Sequence, residues 1–144
     1  CAPMAAAELS TGSKSLKVDP VLSGEEILQI QSLVRDVSIS DDLISYVGKL
    51  IRTSRPDTTT SDYVREWVRW GAGPRAGQAL ILTAKARALL KGRYAVIMED
   101  LHSMAYPVLR HRILVNFKAE AENVNTDLVT AELIRTSERP KSSV

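Results

Sequence analysis

A long helix between a proline and a glycine is the feature that most constrains the fold of this chain. Pro74 suits the first turn of a helix, because the N–H that proline lacks would have no partner there. Gly92 is a typical stop signal at the other end. The residues between them predict a helix from about Pro74 to Leu90. Its inward apolar stripe is expected to consist of Ala79, Leu82, Ala86, Leu89 and Leu90.

Local signals of the same kind predict the other helices and very little β-structure. Ser23 and Glu26 form a capping box at the start of a first helix, and Gly71 is expected to end a third one. Besides 74–90, helices are predicted at 24–34, 99–104 and 126–135, and a further helical turn begins at Pro107. A second helix is predicted after Ser40, with Leu43, Val47, Leu50 and Ile51 facing inward. A third, short helix is predicted to begin at Asp62, with Val64, Trp67 and Val68 facing inward. One short strand pair is predicted, between 37–39 and 94–96.

The composition indicates what fills the core of these helices. Aromatic residues make up only 5% of the chain, so the core must consist mostly of Leu, Ile, Val and Ala. That favours helices packed on helices. The predicted fold is mainly α, a compact bundle of about six helices with at most one very short strand pair. The domain is expected to span 20–140, after a disordered segment, tag or linker at 1–19 and before a frayed tail at 141–144.

The cysteine content and the hydropathy pattern exclude several classes. Cys1 is the only cysteine, so no internal disulfide can form, which fits a reducing compartment and a cytoplasmic protein. No cluster of ligand-type residues has the spacing of a metal site, and none is expected. No apolar run approaches the roughly 20 residues that a membrane helix needs.

Positive charge is concentrated in the middle of the chain. The net charge of the whole is only +2, but residues 65–112 hold nine Lys/Arg against three Asp/Glu, a net of +6. Such a local field attracts an anion, whether phosphate, nucleic acid or an acidic partner. Nucleic-acid binding is not expected, since the helix predicted at 74–90 carries Ala and Leu where base-reading polar residues would be needed.

Arg75 is the residue whose position is hardest to explain without a ligand. It lies in the first turn of a long helix, where free amides and the helix dipole favour a negative charge. A cation at this end suggests an anionic ligand nearby. A solvated surface arginine is the alternative that the residues themselves leave open.

The other basic and aromatic residues give weaker signals. Arg110 and Arg112, with His111 between them, could contact phosphate or an acidic surface, or be a solvated helix end. Lys85, Arg87, Lys91 and Arg93 are interpreted as solvated, His102 as packed or half-exposed, Trp67 as core and Trp70 as covering a groove or an interface.

Several segments in order resemble a known family. Trp70–Ala76 (WGAGPRA) looks like the GASPRA segment of MoxR-type AAA+ proteins, 84–93 (AKARALLKGR) is similar to the family's ARALALLEGR stretch, and 108–113 (VLRHRI) resembles its VLRHRL. Glu99-Asp100 falls where the family begins a helix with Pro-Glu-Asp. The resemblance covers about 20–140, most of the chain.

The resemblance implies a function for the domain. The bundle would be the C-terminal helical lid over a nucleotide, with Arg75 as the sensor-2 arginine that reaches the γ-phosphate and Gly73 and Pro74 beside it. The parent protein would use ATP and Mg and assemble into a ring, commonly a hexamer, with the AAA+ core of the same chain and with neighbouring subunits. It would be a chaperone-like machine that matures protein complexes, often with von Willebrand A-domain partners. The resemblance implies that Arg110 and Arg112 are important, but it assigns them no role.

Departures from the family pattern limit what this chain is expected to do alone. Gly73 stands where the family usually has Ser, and 95–99 lacks the Thr-Pro before Glu-Asp. No phosphate-binding loop of the GxxxxGK[ST] type is present, so the chain is not expected to hydrolyse ATP or to bind it tightly. The alternative function is a helical interaction or nucleic-acid-binding module that uses the basic central segment.

Overall fold

Seven helices and two short strands form in the part of the chain that the computed structural model describes, residues 19–137. These residues fall into two units, one up to Gln31 and one from Ser32 onward. The elements are α1 (Gly24–Asp36), α2 (Asp41–Thr53), α3 (Asp62–Trp67), β1 (Val68–Trp70), α4 (Pro74–Leu90), α5 (Met98–Leu109), β2 (Leu114–Val115), α6 (Phe117–Ala121) and α7 (Thr126–Thr136). The mainly helical prediction is confirmed. The segments expected at 1–18 and 138–144 lie outside the described residues.

Polar side chains just before the first turn begin the helices. The capping box of α1 is confirmed: the Ser23 N–H donates to Glu26 Oε2 at 2.7 Å, and the Glu26 N–H donates to Ser23 Oγ at 3.2 Å. Ser40 caps α2 through a bond from the Leu43 N–H (3.4 Å). Asn125 caps α7 in the same way. Each cap satisfies an amide that the first turn leaves without a partner.

The strands differ from the prediction. The expected pair at 37–39 and 94–96 is reduced to one parallel bridge, in which the Ser38 N–H donates to Tyr94 O and the Val96 N–H donates to Ser38 O, both at 2.9 Å. The two-stranded antiparallel sheet is instead β1 with β2, which was not predicted from the sequence. Because β1 follows α3 directly, that helix ends at Trp67, and the prediction that Gly71 ends it was wrong.

The buried face of α4 also differs from the prediction. Ala76, Leu80, Ala84 and Ala88 are buried, whereas Leu82 and Leu90 are 50% and 87% exposed. The helix is apolar almost all round, so hydrophobic spacing could not single out one face. The buried row repeats every four residues and is rich in alanine, which lets the neighbouring helices approach closely.

α5 is one continuous helix rather than two segments. Pro107 lies inside its last turn, and α5 continues to Leu109. A proline removes one helical hydrogen bond, but Leu101, Ala105 and Val108 are buried on both sides of it and hold the helix in place. The helix forms without the Thr-Pro that is missing at its start, and the Asp100 carboxylate accepts the Ile97 N–H there at 3.0 Å.

Candidate nucleotide-contact site

Arg75 lies at the exposed N-terminal end of α4. Gly73 is the N-cap residue (φ −88°, ψ 176°), contributes no side-chain cap, and is followed by Pro74 in the first turn. The Arg75 side chain is exposed, and within residues 19–137 its guanidinium has no hydrogen-bond or salt-bridge partner. A cation is therefore available to an anion beside the amides of a helix N-terminus.

The loop that leads into α4 is held firmly against the end of α2. The N–H of Ala72, which is fully buried, donates to Ser54 Oγ at 2.9 Å. The carbonyl of the same residue accepts from Arg55 Nε at 3.1 Å. Gly71 packs so closely that a Cβ there would lie 2.3 Å from the Ser54 carbonyl oxygen and 2.6 Å from Arg55 Cα. The start of α4 therefore has a fixed position relative to α2.

Ser54 and Arg55 were not predicted from the sequence. Their bonds to Ala72 join positions 18 and 17 residues apart, so neither helix periodicity nor a turn signal reveals them. The one indication in the sequence was the run of small residues at 71–73, which is typical of close backbone approach.

An open pocket of about 620 Å³ adjoins the same loop. Arg55, Arg69, Trp70 and Gly73 are among the residues that line it. Trp70, which was interpreted as covering a groove or an interface, is 65% exposed at its edge. The pocket places two arginines and one aromatic ring close to the N-terminus of α4.

Arg110 and Arg112 have partners elsewhere in the fold. Arg110 binds Asp127 of α7 through Nε (2.9 Å) and Nη2 (2.8 Å), and this hydrogen bonding holds the pKa of the Asp127 carboxyl below its usual value. Arg112 Nη1 donates to the Val108 carbonyl at 2.7 Å and also contacts the His111 ring. Their partners thus belong to α5, α7 and the turn between α5 and β2 rather than to the loop before α4.

A buried carboxylate binds two arginines that were interpreted from the sequence as solvated. Arg93 makes a two-bond contact with Asp100 (2.8 and 2.7 Å), and Arg87 Nε lies 3.4 Å from the same carboxylate. The Asp100 side chain is only 1% exposed. Hydrogen bonding from Arg93 keeps the Asp100 pKa below its usual value, although desolvation acts in the opposite direction. The solvated interpretation was therefore wrong for Arg87 and Arg93.

The remaining candidates have structural contacts. His102 is half-buried, as expected, and its Nε2 lies 3.1 Å from the Tyr46 hydroxyl. Trp67 is partly buried against Tyr63, with Lys118 Nζ 4.9 Å above its ring. Between residues 19 and 137, no group of three or more His, Cys, Asp or Glu side chains is arranged to hold a metal ion. Over the same residues, no helix has both the length and the apolar character that crossing a bilayer requires.

Adding a hydroxyl at the N-cap of α4 is expected to stabilise the domain. In Gly73→Ser the new Oγ can accept an amide of the first turn, and a Cβ at this position meets no atom within 4 Å. The cap and the loss of glycine freedom in the unfolded chain together contribute about 1 kcal/mol. Urea unfolding checks this through the transition midpoint. A midpoint that is unchanged or lower would contradict this prediction.

Comparisons with known proteins agree with this architecture. The family model described as AAA lid domain matches residues 61–133. The chain is 30% identical over 122 residues to "Chaperone MoxR1" of Mycobacterium tuberculosis (strain ATCC 25618 / H37Rv), covering 84% of this chain and 32% of that protein. It is 41% identical over 49 residues to "Protein MoxR" of Paracoccus denitrificans, covering 34% of this chain and 14% of that protein.

A solved structure has the same fold. The crystal structure of a "putative ATPase" from Cytophaga hutchinsonii ATCC 33406 superposes with a TM-score of 0.82 at 28% identity, over 97% of this chain and 43% of that one. The chain spans about a third of the length of "Chaperone MoxR1". It therefore belongs to the AAA lid domain family, and the resemblance to MoxR-type proteins that its motifs indicated is confirmed.

Proposed function

We propose that this domain covers a bound nucleotide and that Arg75 is its sensor-2 arginine. The observation that carries the proposal is the exposed guanidinium of Arg75, without a partner among residues 19–137, at the end of a helix whose entry loop is fixed. By contrast, Arg93 and Arg110 each hold a carboxylate through two bonds. A free cation on a rigid support is what recognition of a terminal phosphate requires.

The residues at this site fit part of a nucleotide. Arg75 can pair with a phosphate oxygen, and the backbone at Gly73 and Pro74 is open enough for a phosphate to approach. Mg and most of the contacts to ATP are assigned to the core domain of the same chain, because the sequence has no phosphate-binding loop and the described residues hold no group of three or more His, Cys, Asp or Glu that could bind a metal ion.

Arg75 would contribute charge stabilisation and sensing. As the bond to the terminal phosphoryl group breaks, negative charge spreads over its oxygens, and a fixed guanidinium stabilises that charge. Once the phosphate has left, Arg75 loses its partner, and the lid is free to adopt another orientation. This domain would thus contribute one contact to the terminal phosphate, from Arg75, and a change in lid orientation when that contact is lost.

The proposal extends to the complete protein. We propose a cytoplasmic ATPase that assembles as a ring, commonly a hexamer, with chaperone-like activity in maturing protein complexes. A relative that carries the name chaperone supports this. Its partners would be the core domain, the neighbouring subunits and proteins with von Willebrand A domains, and Arg110 and Arg112 could contribute to subunit contacts. The pairing of Arg87, Arg93 and Arg110 with carboxylates argues against the nucleic-acid alternative, because paired guanidinium groups are less available to the phosphates of a nucleic acid.

Hydrolysis of ATP by the complete natural protein tests the role of Arg75. We expect Arg75→Ala to lower the rate at least tenfold, which corresponds to about 1.4 kcal/mol, with an unchanged circular dichroism spectrum. Lys91→Ala is the matched control, since it removes an exposed positive charge just beyond the opposite end of α4 and should leave the rate unchanged. Equal rates for the natural protein and Arg75→Ala would refute the proposal.

A further inference from the structure

We propose that Ser54 and Arg55 are positioning residues, which fix the start of α4 and thereby place Arg75. We call this pair, with its bonds to the backbone of Ala72, the Ala72 clamp. The inference rests on the function proposed for Arg75 and assigns a role to two residues at the C-terminal end of α2. Neither residue needs to touch the nucleotide for this role.

The clamp satisfies both backbone polar groups of one buried residue. Ser54 Oγ donates its only proton to the Ile51 carbonyl at 2.7 Å, which leaves its lone pairs for the Ala72 N–H at 2.9 Å. Arg55 Nε supplies the complementary donor to the Ala72 carbonyl at 3.1 Å. Ser54 is fully buried, so water cannot easily replace its hydroxyl. The direction of every bond in the clamp is therefore determined.

The path from the clamp to Arg75 is short and stiff at one end. Only Gly73 and Pro74 separate Ala72 from Arg75, and the ring of Pro74 fixes its own φ. Gly73 has no side chain to cap α4, and a Cβ there would meet no atom within 4 Å. The next fixed point is the buried Ala76, whose N–H donates to the Gly73 carbonyl at 2.9 Å. Loss of the clamp therefore frees the two residues between Ala72 and Arg75 and shifts the first turn of the helix.

The expected consequence is large, because phosphoryl transfer depends on accurate placement. A displacement of about 1 Å of a catalytic group can cost on the order of 100-fold in rate. A positioning residue acts on the transition state rather than on substrate capture. Its loss should therefore lower kcat and kcat/KM together and leave KM for ATP nearly unchanged.

The experiment measures kcat and KM for ATP in the complete natural protein carrying Ser54→Ala or Arg55→Ala. We expect at least a tenfold fall in kcat and less than a threefold change in KM, with partial recovery in Arg55→Lys, whose ammonium can donate to the same carbonyl. Ser61→Ala is the matched control: it removes a serine hydroxyl that caps α3 by accepting the Val64 N–H (3.3 Å), and it should leave kcat unchanged.

A double variant separates positioning from a direct role. If Arg55 acts through Arg75, then Arg55→Ala combined with Arg75→Ala is no slower than Arg75→Ala alone. Multiplied losses would mean that Arg55 acts independently and would overturn the inference.

The single variants distinguish the inference from the proposed function. A tenfold loss in Arg75→Ala with unchanged kcat in both clamp variants would overturn the inference and leave the function of Arg75 intact. An unchanged rate in Arg75→Ala would refute both the inference and the function proposed for Arg75. Should Ser54→Ala fail to fold, Arg55→Ala decides, since its side chain is only partly buried.

Discussion

Gly71→Ala is expected to destabilise the domain by about 3 kcal/mol, the upper part of the usual range for overpacking. The new Cβ would lie 2.3 Å from the carbonyl oxygen of Ser54 and 2.6 Å from Arg55 Cα. Both are backbone atoms, which cannot rotate away as the end of a flexible side chain can. The loop at 71–73 would have to move off α2, and the buried Ala72 would then lose its hydrogen bonds.

Urea unfolding measures this effect, with Gly73→Ala as the control two residues away. A Cβ at Gly73 meets nothing within 4 Å, and the smaller freedom of alanine in the unfolded chain offsets its weaker preference for the N-cap position, so this variant should have a midpoint close to that of the natural chain. The contrast between the two glycines isolates close packing from the general effect of adding a methyl group. Equal midpoints for both variants would mean that the loop at 71–73 is far more yielding than its packing indicates.

Asp100→Asn should cost about 3 kcal/mol, near the lower end for breaking a buried ion pair. The amide removes the charge that Arg93 binds at 2.7 and 2.8 Å, and it presents N–H donors to a guanidinium that can only donate. The side chains of Arg87 and Arg93 are about one third exposed, so water partly solvates the guanidinium groups that have lost the carboxylate. The matched control is Asp127→Asn, which breaks the exposed pair with Arg110 and should change stability far less.

The same pair predicts a dependence on pH. Because the pKa of Asp100 is lowered in the folded state, the unfolded chain binds the proton more readily. The stabilisation is therefore fully present above the unfolded pKa of about 3.9, and it is lost as the pH falls through the folded value. The difference in unfolding free energy between the natural chain and Asp100→Asn should shrink below that pH. A constant difference down to strongly acidic pH would contradict this assignment.

Helix boundaries could be predicted because their signals are local. Ser23 with Glu26, Ser40 and Asn125 each act within three residues, so the sequence contains the whole of the interaction. Pro74 and Leu90 were predicted as the limits of α4 and are its observed limits. The motif at 70–76 likewise lies in one unbroken stretch of chain, and it indicated both the family and the candidate residue Arg75.

The features that were missed depend on contacts across the fold. The strands β1 and β2 have three and two residues, too few for a periodic pattern, and each is defined by the other. The buried face of α4 is set by its neighbours, since alanine and leucine occur on nearly every side. Asp100 selects Arg87 and Arg93 from several basic residues only after α4 and α5 have packed.

The helix α4 is attached to a neighbouring helix at each of its two ends. Its N-terminal end is tied to α2 by the Ala72 clamp, and Arg87 near its other end is tied to α5 through Asp100. A continuous helix of 17 residues is a rod of about 25 Å, so a tilt of about 5° moves its tip by about 2 Å. That distance is enough to make or break a hydrogen bond. Because the end that carries Arg75 is the one tied to α2, a push on α5 would move the far end of α4 by this distance and leave Arg75 in place relative to α2.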